Sequence, residues 1–477
     1  MAMETTAKKL FIGPRLRRLR QELGLTQSRM AEELGVSASY LNLIERNQRP
    51  VTAQFLLRLT EVYEIDLRAL AGEADQQAVI DLAEVLADPL FRDLTVPHHE
   101  IVEVAGSAPG VSDAVARLYR AFLDSKRREE SATARMPDRN DPLPSADDAV
   151  EIVRDFVQDQ RNHFPALEDA AEALNGTLGA LNADLFGAIR ERLREKHGIT
   201  VRIIPVDVMA TALRRYDRHR RQLLVSEMLE GPARVFSAAY QLAMMEMGPQ
   251  MDAIVGKAAI GSMATKRLLK VNLTNYAAAA IMMPYGPFLA AAENLGYDIQ
   301  VLAARFGASF EQVCHRLTTL SRPTARGVPF FMIRVDQAGN VSKRFAAANF
   351  PFSRYGGSCP LWELHATFKI PGRVFTQIVE MPDGARYFTL SRAVSRVVSS
   401  WAKAEPEVAI GLGCDLKHAS RLVYARGLDL AQPNATPIGI NCRLCERPDC
   451  TQRAHPPFSK TLIVEEHMRG LTPFRFE

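Results

Sequence analysis

The chain has 477 residues, 47% of them hydrophobic, and a formal net charge of +4. At about 150 residues per domain this length makes about three domains, and the apolar content fills sizeable cores. The near-neutral balance excludes a generally basic nucleic-acid coat, and six cysteines are too few for a disulfide scaffold of this size.

The first ten residues hold no apolar core of a secretory signal, and the alanine-rich stretch 277–292 is interrupted by Pro284 and Pro287. The expectation is a cytoplasmic protein in a reducing compartment, with no membrane partner.

Residues 1–70 read as four short helices. A basic helix over 15–23 carries leucines at 16, 19 and 23 and stops at Gly24. Thr26 is placed to cap a second helix over 27–34, Gly35 to turn the chain, and Ser37 to cap a third; a fourth runs over 52–63. Leu16, Leu19, Leu25, Met30, Ala31, Leu34, Val36, Leu41, Ile44, Phe55, Leu56 and Leu59 make one small core. That leaves the polar start of helix three, from Ser37, facing outward. This is the geometry of a recognition helix, with Ser39, Tyr40 and Asn42 for base edges and Gln27 and Arg46 for phosphates. The region holds 11 Lys+Arg against 8 Asp+Glu, so the basic character is local. The block over 25–66 resembles the Cro/repressor, xenobiotic-response-element type of domain. The resemblance implies double-stranded operator DNA as partner and, since one head reads one half-site, a homodimer or higher homo-oligomer.

Residues 71–144 read as a helical linker. Apolar spacing near 3.6 marks helices over 76–86 and 111–128, and the Pro-rich run 136–144 breaks the pattern. Residues 145–322 read as α+β. Ser145 and Asp148 resemble a capping box, helices cover 146–162 and 183–197, strands cover 200–206 and 222–226, and helices return from Ala233. The segment 298–320 has the form of a second helix-turn-helix, although its outer face lacks a basic cluster, which favours a hairpin inside a sensor domain.

In this middle region Ala233–Met244 and Asn275–Pro284 resemble the ImmA/IrrE metallopeptidase domain. That family carries H-E-x-x-H on the first of these helices, two zinc ligands and a general base. Here Tyr240 and Met244 stand for the histidines and Gln241 for the base, and 271–275 supplies no carboxylate. Tyr and Met are poor zinc ligands, and a neutral Gln takes no proton from a bound water. The expectation is a degenerate, non-enzymatic domain in which Tyr240, Gln241 and Met244 either line a ligand pocket or fill the core. The enzyme alternative is a peptidase that cleaves a partner repressor.

Residues 323–477 read as β-rich, with strands over 328–335, 341–345, 367–370, 374–380, 387–392, 408–412 and 422–425. Cys442-x2-Cys445-x4-Cys450-x4-His455 has the spacing of a zinc knuckle, with the last two ligand types exchanged. Structural zinc, plain reduced thiols and a redox switch all remain open there, with Cys359, His365 or Cys414 as alternative fourth ligands. The expected fold class is therefore multidomain: an all-α helix-turn-helix head (1–70), a helical linker (71–144), an α+β degenerate metallopeptidase-like domain (145–322) and a β-rich carboxy-terminal module (323–477).

That module also contains Gly339–Arg344, Phe352–Trp362, Gly411–Cys414 and Cys442–Arg447. With the order of the three parts, these segments make the whole chain resemble the bacterial short-chain fatty acid regulator family. The resemblance implies a transcription factor of acyl-CoA metabolism whose effector is propionyl-CoA or acetyl-CoA. A CoA ligand needs cations and close backbone approach for its phosphates, which makes Lys343, Arg344, Arg354, Gly356, Gly357, Arg373 and Arg386 candidates. The alternative function is a metal- or redox-responsive regulator using the cysteines.

Overall fold

Side-chain caps and one left-handed glycine shape the head in the computed structural model. The structure describes residues 13, 16–17, 20, 25–46, 48–63, 75–91, 94, 96–132, 146–179, 184–209, 211–347, 350–352, 358–395 and 407–476. Thr26 Oγ1 accepts from Arg29 N to start α1 (Gln27–Glu33), and Ser37 Oγ accepts from Tyr40 N to start α2 (Ala38–Glu45). Between them Gly35 sits at φ +63°, a backbone conformation that a Cβ would strain. With α3 (Ala53–Tyr63) these helices close the expected core of Leu16, Met30, Ala31, Leu34, Leu41, Ile44, Phe55 and Leu59. The helix expected over 15–23 lies largely outside the described residues, as does Leu19.

The chain divides into two compact units. The first takes residues 1–136, 351–355 and 442–477. Besides the head it holds α4 (Asp75–Leu86), α5 (His98–Ser107) and α6 (Pro109–Ala132). Leu82, Ala83, Ile101 and Ala105 form a small core there, against which Leu444 and Phe458 of the carboxy-terminal segment pack. The linker expected at 136–144 lies outside the described residues.

The second unit takes residues 137–350 and 356–441, so the boundary expected at 322/323 falls inside it. Helices α7 (Ala146–Asp159), α8 (Pro165–Leu178) and α9 (Leu185–His197) lead to β1 (Thr200–Ile204), β2 (Arg214–Asp217) and β3 (Gln222–Ser226). These strands form a small sheet of order β1-β3-β2, with β1 parallel and β2 antiparallel to β3. Six helices follow: α10 (Gly231–Glu246), α11 (Gly248–Lys257), α12 (Met263–Met282), α13 (Tyr285–Asn294), α14 (Ile299–Phe306) and α15 (Phe310–Leu317). Helix α12 is buried along its alanine-rich half, residues 276–282, where small side chains let neighbouring helices approach. A fully buried ion pair ties α8 to α15. Arg316 Nη1 and Nη2 donate to Glu168 at 2.6 and 2.8 Å, its Nε donates to Met283 O at 2.9 Å, and the Tyr276 hydroxyl donates to the same carboxylate.

The larger sheet has the order β5-β4-β8-β7-β6-β9, built from β4 (Phe331–Val335), β5 (Val341–Ala346), β6 (Phe375–Glu380), β7 (Arg386–Ser395), β8 (Glu407–Asp415) and β9 (Thr436–Pro437). All neighbours are antiparallel except β6 and β9. The Gly411-Leu412-Gly413-Cys414 motif lies on β8, where a Cβ at Gly413 would run into the Phe331 ring and one at Gly411 would meet Ile333 at 2.9 Å. The glycines thus let the β4 side chains lie flat on their neighbour. Two expected strands are corrected: 367–370 falls in a 3-10 helix (His365–Lys369), and 422–425 in another (Val423–Ala425). In each the apolar run is short, and a buried residue (Thr367, Ala425) anchors a turn instead of pairing with a neighbour.

Candidate nucleic-acid interface and ligand cavity

On the recognition helix, Ser39 and Arg46 are exposed and Asn42 is half-buried, and all three lie along one face at helical spacing. Ser37 is exposed and spent on the cap. Two of the six expected residues are engaged elsewhere. Gln27 Nε2 donates to Glu45 at 3.0 Å, and that buried carboxylate also pairs with Arg20 at 2.7 Å. The Tyr40 ring packs edge-on against Phe55 with centroids 6.1 Å apart. Arg49, which sequence spacing did not single out, is exposed and lies 5.0 Å from the centroid of the Tyr40 ring.

The second unit has a partly open cavity of about 830 Å³ between its helices and the larger sheet. Phe164, Leu229, Phe236, Leu273, Phe310 and Phe345 give it an apolar wall. Its polar lining comes from distant segments: Arg214 of β2, Ser237 of α10, Asn272 and Asn275 of α12, His315 of α15 and Lys343 of β5. Glu311 of α15 also lines it and accepts from Arg334 Nη1 at 2.8 Å and Lys343 Nζ at 2.9 Å, so the Lys343 charge is already matched. Glu230 stands exposed at the rim.

Two lining groups stand out, a cation without an ion pair and an imidazole nitrogen without a hydrogen bond. Arg214 is half-buried and makes no ion pair among the described residues; its guanidinium carbon lies 3.5 Å from the centroid of the Tyr240 ring. Burial lowers its pKa, and Tyr240 partly offsets this. The Nε2 of His315 is buried with no hydrogen-bond partner among the described residues, and its ring stacks on Phe345 with centroids 4.3 Å apart. Burial and then the Lys343 charge push the His315 pKa down to about 3, so the ring is neutral at physiological pH.

The positions matched to the lost zinc motif lie beyond the cavity lining, further along α10. Tyr240 carries the Arg214 guanidinium on its face, Gln241 is buried, and Met244 Sδ accepts from Thr274 Oγ1 at 3.4 Å. Of the two expected roles, pocket lining or core filling, this placement fits the core, and the preceding turn, Ala233, Phe236 and Ser237, faces the void. Of the basic residues expected on the β-rich module, Lys343 alone among the described residues lines the cavity. Arg344 pairs with Glu151 at 2.5 Å, Arg386 with Glu380 at 2.8 Å, and Arg373 lies 5.4 Å over the Phe375 ring. Arg354, Gly356 and Gly357 lie outside the described residues.

Of the three readings of the cysteine cluster, structural zinc finds no support in the geometry. Among the described residues no three His, Cys, Asp or Glu side chains converge as a metal site, Cys442, Cys445, Cys450 and His455 included. A buried guanidinium organises this loop instead. Arg453 Nη1 donates to Cys442 O and His455 O at 3.0 and 3.2 Å, and Nη2 to Cys445 O and Arg447 O at 2.9 and 2.6 Å. Cys442 Sγ accepts from Ala454 N at 3.4 Å. The alternative fourth ligands are no better placed: Cys359 and Cys414 are buried, and His365 Nε2 lies 2.9 Å from Ser358 Oγ.

Three family models match consecutive parts of the chain. A helix-turn-helix model covers residues 16–70, an IrrE N-terminal-like domain 194–318, and the short-chain fatty acyl coenzyme A regulator, C-terminal, 319–474. The HTH-type transcriptional regulator RamB of Mycobacterium tuberculosis is 40% identical over 469 residues, 98% of each chain. The propionyl-CoA carboxylase regulator of Cereibacter sphaeroides is 40% identical over 98% of this chain and 99% of its own. A solved Mycobacterium tuberculosis transcriptional regulator superposes with a TM-score of 0.66 at 40% identity, covering 69% of this chain and 99% of that one. No described helix is long and apolar enough to cross a membrane.

Proposed function

Since the chain belongs to the short-chain fatty acyl coenzyme A regulator family of helix-turn-helix transcriptional regulators, we propose that it binds a short-chain acyl-CoA in the cavity of its second unit and adjusts its hold on operator DNA accordingly. The observation that carries this reading is Arg214, a half-buried cation on a cavity wall with no ion pair among the described residues. A desolvated guanidinium is costly unless an anion meets it, and a ligand phosphate is such an anion. The apolar wall suits a small acyl group, and 830 Å³ lies within the range of small-molecule pockets. His315, neutral and unpartnered, offers Nε2 to an amide or thioester oxygen of the ligand as donor, or to an N–H as acceptor.

The reading makes the IrrE-like domain a sensor without hydrolytic chemistry. Tyr240 and Met244, at the positions matched to the zinc ligands, are occupied by cation–π and thioether contacts, and the Gln241 side chain at the base position is neutral. Ser39, Asn42 and Arg46 face the DNA, joined by Arg49 at the phosphates. One recognition helix per chain makes a homodimer on a pseudo-palindrome the expected assembly. Calorimetric titration of the full-length protein with acetyl-, propionyl- and butyryl-CoA tests the proposal. Binding by the parent chain and a loss of at least ~10-fold in Arg214→Ala, about 1.4 kcal/mol, are expected. Equal affinity in the variant contradicts the assignment of Arg214.

A further inference from the structure

The small three-stranded sheet of the second unit has an open face that the effector reading leaves unused. Arg215 on β2 lies directly across from Leu224 on β3, and Arg202 on β1 lies across from the same Leu224. Residues paired directly across strands project from the same side of a sheet. Arg202 and Arg215 therefore flank Leu224 on one face, and both are exposed. The opposite face carries Val201, Leu223 and Val225, all buried, and Arg214 on the cavity wall. The alternation of the strand thus sends neighbouring arginines to different places: Arg214 inward, Arg215 outward.

The turn joining β2 to β3 extends this basic surface. Arg218, His219, Arg220 and Arg221 are all exposed. The acidic residue of the segment, Asp217, is spent on the turn itself, where its Oδ1 accepts from His219 N and Arg220 N, both at 3.0 Å. Arg202, Arg215, Arg218, Arg220 and Arg221 make no ion pair among the described residues. Solvated arginines on a surface normally alternate with carboxylates, as Arg194 does with Glu191 and Glu195 on the preceding helix. A run of guanidinium groups without ion pairs, only Arg220 acting on the nearby Asp217 carboxylate, has along a two-stranded ribbon the charge and spacing of a surface that tracks a phosphate backbone.

We infer that this hairpin is a second DNA contact, binding the sugar–phosphate backbone of double-stranded DNA without reading its sequence. The inference rests on the chain being a DNA-binding regulator, for which double-stranded DNA is the polyanion to be bound. It does not rest on the effector cavity, whose arginine lies on the other face of the sheet.

The test uses the full-length protein and a long mixed-sequence DNA duplex, with affinity measured across a salt series. Replacing Arg215, Arg218, Arg220 and Arg221 by Gln is expected to reduce the slope of log affinity against log salt by about 2–4, since each lost phosphate contact removes about 0.9. Affinity at low salt should fall at least ~10-fold in the same variant. Charge reversal by Arg218→Glu with Arg220→Glu is expected to weaken binding further. Propionyl-CoA affinity and the unfolding midpoint should stay at the parent values, showing that the fold and Arg214 are intact. An unchanged slope and affinity overturn the inference. So does a variant that loses acyl-CoA affinity but keeps parental DNA binding, which would hand these arginines to the effector. A parent protein that fails to bind the duplex at all overturns the regulator reading, and this inference with it.

Discussion

Two arginines of the second unit, Arg316 in the helical core and Arg214 on the cavity wall, meet desolvation in opposite ways. Arg316 is buried with a bidentate carboxylate, a carbonyl on Nε and a threonine hydroxyl within reach. Arg214 has an aromatic face and no ion pair among the described residues. A buried cation whose donors are all spent inside the protein is a structural brace. One whose charge is left unmatched beside a void is a place for a ligand. Arg453 of the first unit falls closer to the braces, because four backbone carbonyls accept from its Nη1 and Nη2, while its buried Nε has no hydrogen-bond partner among the described residues.

The sharpest way to break this distinction is to remove each arginine and ask whether stability or affinity suffers. Arg316→Ala strands Glu168 in the core, and the loss of one partner of a buried pair costs about 3–5 kcal/mol. Chemical denaturation should show that loss in the second unit. Arg453→Ala removes charge-assisted bonds worth about 1.5–3 kcal/mol. Its effect should be local, seen as faster hydrogen exchange and proteolysis over 442–455 with the second unit unchanged. Arg214→Ala should leave the unfolding free energy within about 0.5 kcal/mol of the parent, while costing effector affinity as described above. If Arg214→Ala destabilises as strongly as Arg316→Ala, the two arginines do not differ and the ligand argument loses its basis.

A carboxylate gives the mildest version of the contrast. Burial would raise the Glu246 pKa, but hydrogen bonds from Arg192, His197 and Lys196 outweigh it and hold the group at about 2. Its folded pKa lies below its ordinary 4.5, so its contribution to stability is fully present above pH 4.5 and is lost as pH falls toward 2. Glu246→Gln should flatten the dependence of stability on pH in that window, and a slope equal to the parent's would show that the network does not act through ionised Glu246.

The head was legible in the sequence because everything that defines it is local. Thr26, Gly35 and Ser37 set the helix ends, and the apolar spacing of Leu34, Leu41 and Ile44 sets the buried side. Spacing could not show that Gln27 is claimed by Glu45, a contact across 18 residues. The cavity was illegible for the same reason on a larger scale, since its lining runs from Val157 to Ser395. Strand β2 escaped notice because Arg214-Arg215-Tyr216-Asp217 lacks the apolar alternation that marks a half-buried strand, and with it went Arg214. The cysteine spacing overstated the metal case: equal spacing does not make side chains converge, and here Arg453 gathers the backbone of the loop.

The most direct test of the account is hydrogen exchange of the full-length protein with and without saturating propionyl-CoA. The account predicts protection over 229–237 and 309–315, the two segments that carry Leu229, Phe236, Phe310 and His315 of the lining, and little change around 442–455. No protection at either segment with acetyl-, propionyl- or butyryl-CoA, or protection confined to the cysteine loop, would contradict it.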